Sequence, residues 1–349
     1  MVNWEQILYS AQVAGAGIAL FLHYILIKLI INHSPKEIGD YKNLMLFISV
    51  FEIIYAILDV IVQPIFHSFE STFMLIVDTS SSKVNKKLWE ILAVIYCGFY
   101  GSSLAIFSIH FAYRYWVVSG THQTVLNSFH KTTVLIWLIA PFSVGLIWAL
   151  VGYFLCYPRA STTEHLNDNV RARLGLNISD IVYFAPYFYE KNEMGQNVIY
   201  WPSFIGIMLD SMSINISLMF SAYFGIKCWL RMDAIFSSSS THFQNLHSQL
   251  FYALVAQAMI PIFLMHIPAL TMFIFTFLNF DAGFLSGTVS LTIALFPTLD
   301  PLPTMLIFCH YRKAITNYIR TRYKKVRKTK FCRCLVAKKS RNPNSSITL

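Results

Sequence analysis

Seven apolar runs, each long enough to cross a bilayer, constrain this chain more than any other feature. They lie near residues 9-31, 43-62, 88-113, 133-155, 200-226, 249-278 and 285-309, and a helix of about 20 apolar residues spans the hydrocarbon layer. Lipid offers the backbone no hydrogen bonds, and no period-2 alternation competes with helix here. The expected fold is an all-α membrane protein, a seven-transmembrane helix bundle over 1-309 followed by a basic tail over 310-349. The third run is the least regular because Glu90 and Arg114 sit at its ends, which keeps a six-span count open. The stretch "QPIFHSFESTFMLIV" after the second run reads as an apolar loop dipping into the interface. The first run is too long for a signal-peptide core and lacks the preceding basic residues, so it reads as a retained span.

Charge placement sets the expected orientation. Thirteen of the 27 Lys and Arg lie between Tyr311 and Arg341, and nine of them fall within about twenty residues of the last span, where the positive-inside rule counts them. A cytosolic tail puts 20 basic residues inside and seven outside, with the N-terminus outside. The sequon Asn177-Ile178-Ser179 then falls in the long second outer loop and is the glycosylation candidate; sequons at Asn215 and Asn344 fall in a span and in the tail. Attraction to anionic lipid explains the basic tail more simply than nucleic acid does. Only 13% of residues are charged, against roughly 25% in soluble domains. The six cysteines form no C-x-x-C knuckles, and nothing indicates a metal or cofactor.

Polar residues inside the runs are the candidates for function. Asp300 and Glu52 both lie roughly 12 to 14 Å above the inner boundary at 1.5 Å per residue. Two readings fit: their carboxyls meet in a polar level that forms part of a conformational switch, or each is satisfied locally. Pro297, Pro301 and Pro303 in the seventh run, and Pro261 and Pro268 in the sixth, favour kinks. Arg114 closes the third run between Tyr113 and Tyr115 and reads from the residues as a snorkelling arginine with interfacial anchors, while His110, one turn deeper on the same face, is either a hydrogen-bonded packing residue or part of the switch.

In the outer half, Tyr96, Phe99, Tyr100 and Ser103 of the third run, Phe204, Met208 and Asp210 of the fifth, and Met265 and His266 of the sixth are at the depth of a mostly apolar small-molecule pocket. Packing is the competing role for each. The loop stretch "YFAPYFYE" from Tyr183 to Glu190 reads as an aromatic lid or a surface segment. Cys97 is read as lying inside its span and Cys156 at the top of the fourth, so a disulfide between them is doubtful. Beyond the last span, Tyr311, Ile315, Tyr318 and Ile319 repeat with helical spacing among basic residues, as in a helix lying on the bilayer. Cys332 and Cys334 in "KTKFCRC" are palmitoylation candidates. Ser237 to Ser240 and Thr241 are either phosphorylation sites or linker.

"HFAYRY" closing the third span, "PTLDPLPTMLIFCHYRKAI" closing the seventh, and "YKNLMLFISVFEIIYAILDVIVQPIFH" from Tyr41 to His67 resemble the nematode seven-transmembrane chemoreceptors of the Str type, the family that includes the diacetyl receptor. The resemblance implies a G-protein-coupled chemosensory receptor in the plasma membrane of sensory neurons and their cilia, with a small-molecule odorant and a heterotrimeric G protein as partners. It also implies that Arg114, and Asp300-Pro301 with Tyr311-Arg312, belong to the activation and coupling surface. The broader rhodopsin-like pattern fits less well, because Tyr113 stands where an acidic residue precedes the third-span arginine. The rival functions are an odour-gated ion channel, whose inner N-terminus would leave the basic tail outside, and a transporter, for which no inverted repeat is visible. An enzyme would need a catalytic constellation, and neither a G-x-S-x-G nor a histidine cluster is present.

Overall fold

The computed structural model describes residues 4–120, 137–192, 194–236, 241–281 and 283–324. In chain order the helices are α1 (Trp4–His33), α2 (Tyr41–Val62), α3 (Lys86–Ser119), α4 (Ile139–Leu155), α5 (Ala160–Leu174), α6 (Trp201–Phe236), α7 (Thr241–Pro261), α8 (Ile267–Phe277), α9 (Gly283–Leu299) and α10 (Pro301–Ile307). A further helical stretch covers 309–324. Spans one to five are α1, α2, α3, α4 and α6; span six is α7 with α8, and span seven is α9 with α10. Alone, α4 is about 25 Å long, and α5 bends away from it by 93°. Glu164, Asp168, Arg171 and Arg173 keep α5 out of the bilayer as a cap on one end of the bundle.

Helices α3 and α6 have 34 and 36 residues, about 50 Å each, so both project well beyond the hydrocarbon. The apolar runs end at 113 and 226 because hydropathy ends there, whereas the helices continue to their own stop signals. For α3 these are Asn85, whose side chain accepts from the Lys87 N–H at its start, and Gly120 in the left-handed region at φ 64 at its end. Span three is central: it packs against spans four and five, while span one lies against spans two and seven.

Both proline-rich spans depart from regular helix. Pro261 ends α7, and Ile262–His266 form one wide π turn before α8. In span seven, Asp300 joins α9 to α10, Pro301 opens α10, and extended backbone at Phe308 separates it from the tail helix.

The loop after span two does not dip into the interface. It is an antiparallel hairpin, β1 (Ile65–Phe69) with β2 (Thr72–Asp78), joined by β3 (Ile181–Phe184) in the order β1-β2-β3. A second hairpin pairs β4 (Tyr189–Lys191) with β5 (Asn197–Ile199). Phe73, Leu75 and Val77 pack on the bundle, while Met74 and Ile76 pack with Leu166 and Val170 of α5. Both sheet faces are buried, so the strand reads as an unbroken apolar run without polar alternation, which hides it from a periodicity search. The Phe66 N–H donates to Ser290 Oγ of span seven at 2.9 Å, fixing the hairpin to the bundle. Tyr187 and Phe188 of the aromatic stretch are buried beneath the same cap rather than lying on a surface.

Candidate functional site

Two polar regions lie inside the bundle, one beneath the sheet and one toward the tail. The first surrounds a cavity of about 80 Å³ walled by Tyr96, Cys97 and Tyr100 of span three, Trp148 of span four, Ile207 and Asp210 of span five, and Phe66, Phe73 and Phe184 of the sheet, with span six and seven residues closing it. The wall forms because Gly98 and Gly101 let span four approach: a Cβ at Gly101 would stand 2.5 Å from Trp148 Cγ. Small residues spaced this way are a common means of close packing between membrane helices. Trp148 is pinned by its indole N–H, which donates to Ser213 Oγ at 3.0 Å.

Of the nine residues expected at a pocket, Tyr96, Tyr100 and Asp210 line this cavity and six do not. Phe99 stacks on Phe51 instead, at 5.0 Å between centroids. Ser103 donates back to the Tyr100 carbonyl. Phe204 packs among Phe188, Phe277 and Tyr189 near the cap. Met208 is 64% exposed on the outer surface. Met265 is buried in the π turn, where its carbonyl accepts from Tyr100 Oη. His266 lines an apolar groove on the outside of the bundle, between spans three, five and six. The common reason is helix rotation: successive residues turn by about 100°, so a correct depth still leaves the facing direction open. Trp148, Ile207 and the sheet phenylalanines were missed; the Gly98, Gly101 and Gly145 spacing was the available signal for Trp148. Cys97 and Cys156 both line the cavity as free thiols.

The second region joins spans one, two, six and seven. The buried side chains of Glu52 and Asp300 lie beside each other, where two like charges would repel. Gln257 of span six donates its Nε2 to Asp300 Oδ2 at 2.9 Å and to the Asp300 carbonyl at 3.1 Å, while its Oε1 accepts from Thr304 Oγ1. Proline 301 has no N–H, so the carbonyl four residues earlier, on Pro297, loses its helical partner. His23 of span one faces that carbonyl, with Nε2 3.0 Å away, and lies 3.5 Å from Glu52 Oε2. His23 and Gln257 were not anticipated; a histidine inside the first apolar run was the only sequence trace of one, and a glutamine inside the sixth of the other.

Nearer the tail, Arg114 is 1% exposed, which rules out snorkelling. Its guanidinium lies 3.7 Å over the Tyr41 ring, and Nη1 reaches His247 Nδ1 at 3.4 Å. Tyr41 gathers this region: Tyr113 stacks on it, and its hydroxyl reaches His110 Nδ1 at 3.3 Å. Tyr113 is therefore a buried packing residue, while Tyr115 meets Phe224 of span five. Tyr311 is buried too, with its hydroxyl 2.7 Å from Ser34 Oγ, so of the apolar residues expected on one face of the tail helix it packs on the bundle, whereas Tyr318 and Ile319 are both about 60% exposed. Arg312 is exposed and donates to the Leu306 carbonyl. Pro301 is buried at the start of α10. Cys332, Cys334 and the Ser237 to Ser240 run lie outside the described residues.

At the cap, Asn177 is exposed and hydrogen-bonds Asp180, whose carbonyl accepts from Thr79 Oγ1, beside the Asp78 to Ser82 stretch that also meets the start of α1. Burial holds His67 and His165 below the usual histidine range, even though Asn169 hydrogen-bonds His67 and Glu70 lies beside His165. Among the described residues no group of three or more His, Cys, Asp or Glu is placed to hold a metal ion.

The family described as serpentine type 7TM GPCR chemoreceptor Str matches residues 8–316. The chain is 32% identical over 312 residues to G-protein coupled receptor str-217 of Caenorhabditis elegans, covering 87% of this chain and 88% of that one. It is 30% identical to serpentine receptor class r-10 of the same nematode, over 90% and 92% of the two chains. The r-10 receptor of Caenorhabditis briggsae is 29% identical, over 92% and 93%.

Proposed function

Because the chain belongs to the serpentine Str family of seven-transmembrane chemoreceptors, we propose that it is an odorant receptor that takes a small, volatile or lipophilic molecule into the cavity beneath the sheet and activates a heterotrimeric G protein at the tail end. The observation that carries this reading is the separation of two regions by one polar cluster. The aromatic cavity contacts spans three to seven, and the Glu52, Asp300 and Gln257 cluster joins spans two, six and seven between it and buried Arg114. A ligand that favours one packing of the kinked spans six and seven shifts the population of states at the tail end without contacting it. The sheet end faces outward, in the plasma membrane of a sensory neuron and its cilium, and the opposite end of the bundle faces the cytosol.

Cells expressing the full chain with an N-terminal tag test this reading. Volatile compounds are applied while second messenger and membrane current are recorded with and without G-protein blockade. The expected result is a response abolished by blockade and by Arg114→Ala at an unchanged surface level, since the alanine removes the cation that holds Tyr41 and His247 together. A current that survives blockade would replace the receptor with an odour-gated channel. Orientation has its own test. Asn177→Gln is expected to remove a glycosidase-sensitive increment in apparent mass, while Asn215→Gln changes nothing because Asn215 lies in span five, donating to the Ser211 carbonyl. An unglycosylated Asn177 together with a tag reachable only after permeabilisation would invert the topology.

A further inference from the structure

The cavity contains one polar group that the protein leaves unanswered. Asp210 is 5% exposed, lines the cavity, and its Oδ1 meets no donor. The donors around it are already engaged: Tyr96 Oη donates to Asp59 Oδ1 at 3.0 Å, Tyr100 Oη to the Met265 carbonyl at 3.2 Å, and Trp148 Nε1 to Ser213 Oγ at 3.0 Å. No Lys, Arg or His lines the cavity. A carboxylate taken from water into such surroundings, with neither donor nor countercharge, is costly. The rest of the wall is aromatic, with the Tyr100 and Trp148 rings 5.0 Å apart and Phe66 stacked on Phe73. A single carboxylate within a set of ring faces has the chemistry of an ammonium site, because ring faces attract cations and the carboxylate supplies the opposite charge.

We propose that the ligand of this cavity is a short-chain amine, bound as its ammonium with the N–H groups on Asp210 and the alkyl body against Trp148 and the sheet phenylalanines. This rests on the proposed function and names the chemical class that the site accepts. An alcohol supplies a donor without charge, and a ketone supplies neither, so the amine alone answers both deficits. Size points the same way. An apolar cavity of about 150 Å³ accommodates benzene, and this one is about 80 Å³, which favours a branched or linear alkyl chain over an aromatic amine.

Three probes matched in heavy-atom count, isobutylamine, isobutanol and butanone, separate the possibilities. Each is titrated against the purified full-length receptor in lipid nanodiscs, with thermal unfolding as the readout, and against receptor-expressing cells, with second messenger as the readout. Isobutylamine is expected to stabilise the wild type at concentrations roughly tenfold or more below those needed for the other two, the scale of a buried charge pair. Asp210→Asn, which keeps the size and removes the charge, is expected to abolish that preference. If the variant fails to fold, the wild-type ranking of the three probes decides. Equal potency of isobutanol or butanone, an amine preference that survives Asp210→Asn, or no stabilisation by any probe would each overturn the proposal. Stabilisation by the amine without a second-messenger response would uphold the amine site and count against G-protein coupling. A G-protein response to the neutral probes, equal in wild type and variant, would do the reverse.

Discussion

A valine in place of Gly145 is expected to leave little receptor at the cell surface, roughly a tenth of the wild-type level or less, because it forces apart the two helices that wall the cavity. A Cβ at this position would stand 2.1 Å from Ser102 Oγ and 2.4 Å from the Gly98 carbonyl oxygen. The serine can rotate away, but the carbonyl belongs to the backbone of span three and cannot yield without moving the helix. Overpacking typically costs about 1–3 kcal/mol where side chains give way, and this contact lies at the upper end because backbone opposes it. The loss is a sizeable fraction of the roughly 5–15 kcal/mol by which folded proteins are typically stable. Surface fluorescence of an N-terminally tagged receptor measures it. Gly152→Ala is the matched control on the same helix, since nothing lies within 4 Å of a Cβ built there. Wild-type surface levels for Gly145→Val would show that spans three and four do not meet as described.

The second large effect is expected at the polar cluster. Asp300→Asn and Glu52→Gln are each expected to shift basal or agonist-driven signalling by about tenfold at normal surface level, and the double variant to do no worse than the more severe single. Groups in one hydrogen-bond network are coupled by about 0.5–3 kcal/mol, so their substitutions do not add. Each single change replaces one of two adjacent buried carboxyls by an amide and leaves Gln257 or His23 with an altered partner. On the proposed mechanism this changes the relative stability of two packings of spans six and seven, and with it the signal. Wild-type responses in both singles would reduce the cluster to static packing, and strict additivity in the double would show that the two carboxyls act independently.

Much of the bundle is written in local hydropathy. The positions of the seven runs, the tail charge and the prolines of spans six and seven are properties of short windows, and the helices follow from them because a span has no other way to satisfy its backbone in lipid. Depth is equally legible: the rise of 1.5 Å per residue placed Glu52 and Asp300 on one level, and their side chains lie side by side there. The same depth reasoning found Tyr96, Tyr100 and Asp210 but also selected Met208, which faces outward from the same turn of span five as Ile207. The strand around Met74 and Ile76 escaped notice because α5 covers the face that would otherwise be polar.

The sequence by itself determined that this chain crosses the membrane, about how many times, which polar residues share a level and to which receptor family it is similar, because hydropathy, charge and helical rise act over a few turns. The tertiary structure alone decided which way each helix faces, that Arg114 lies buried on Tyr41, that His23 faces the carbonyl freed by Pro301, and that Asp210 meets no donor. Those outcomes depend on contacts between residues as far apart as 274 positions, and no window of sequence contains both partners.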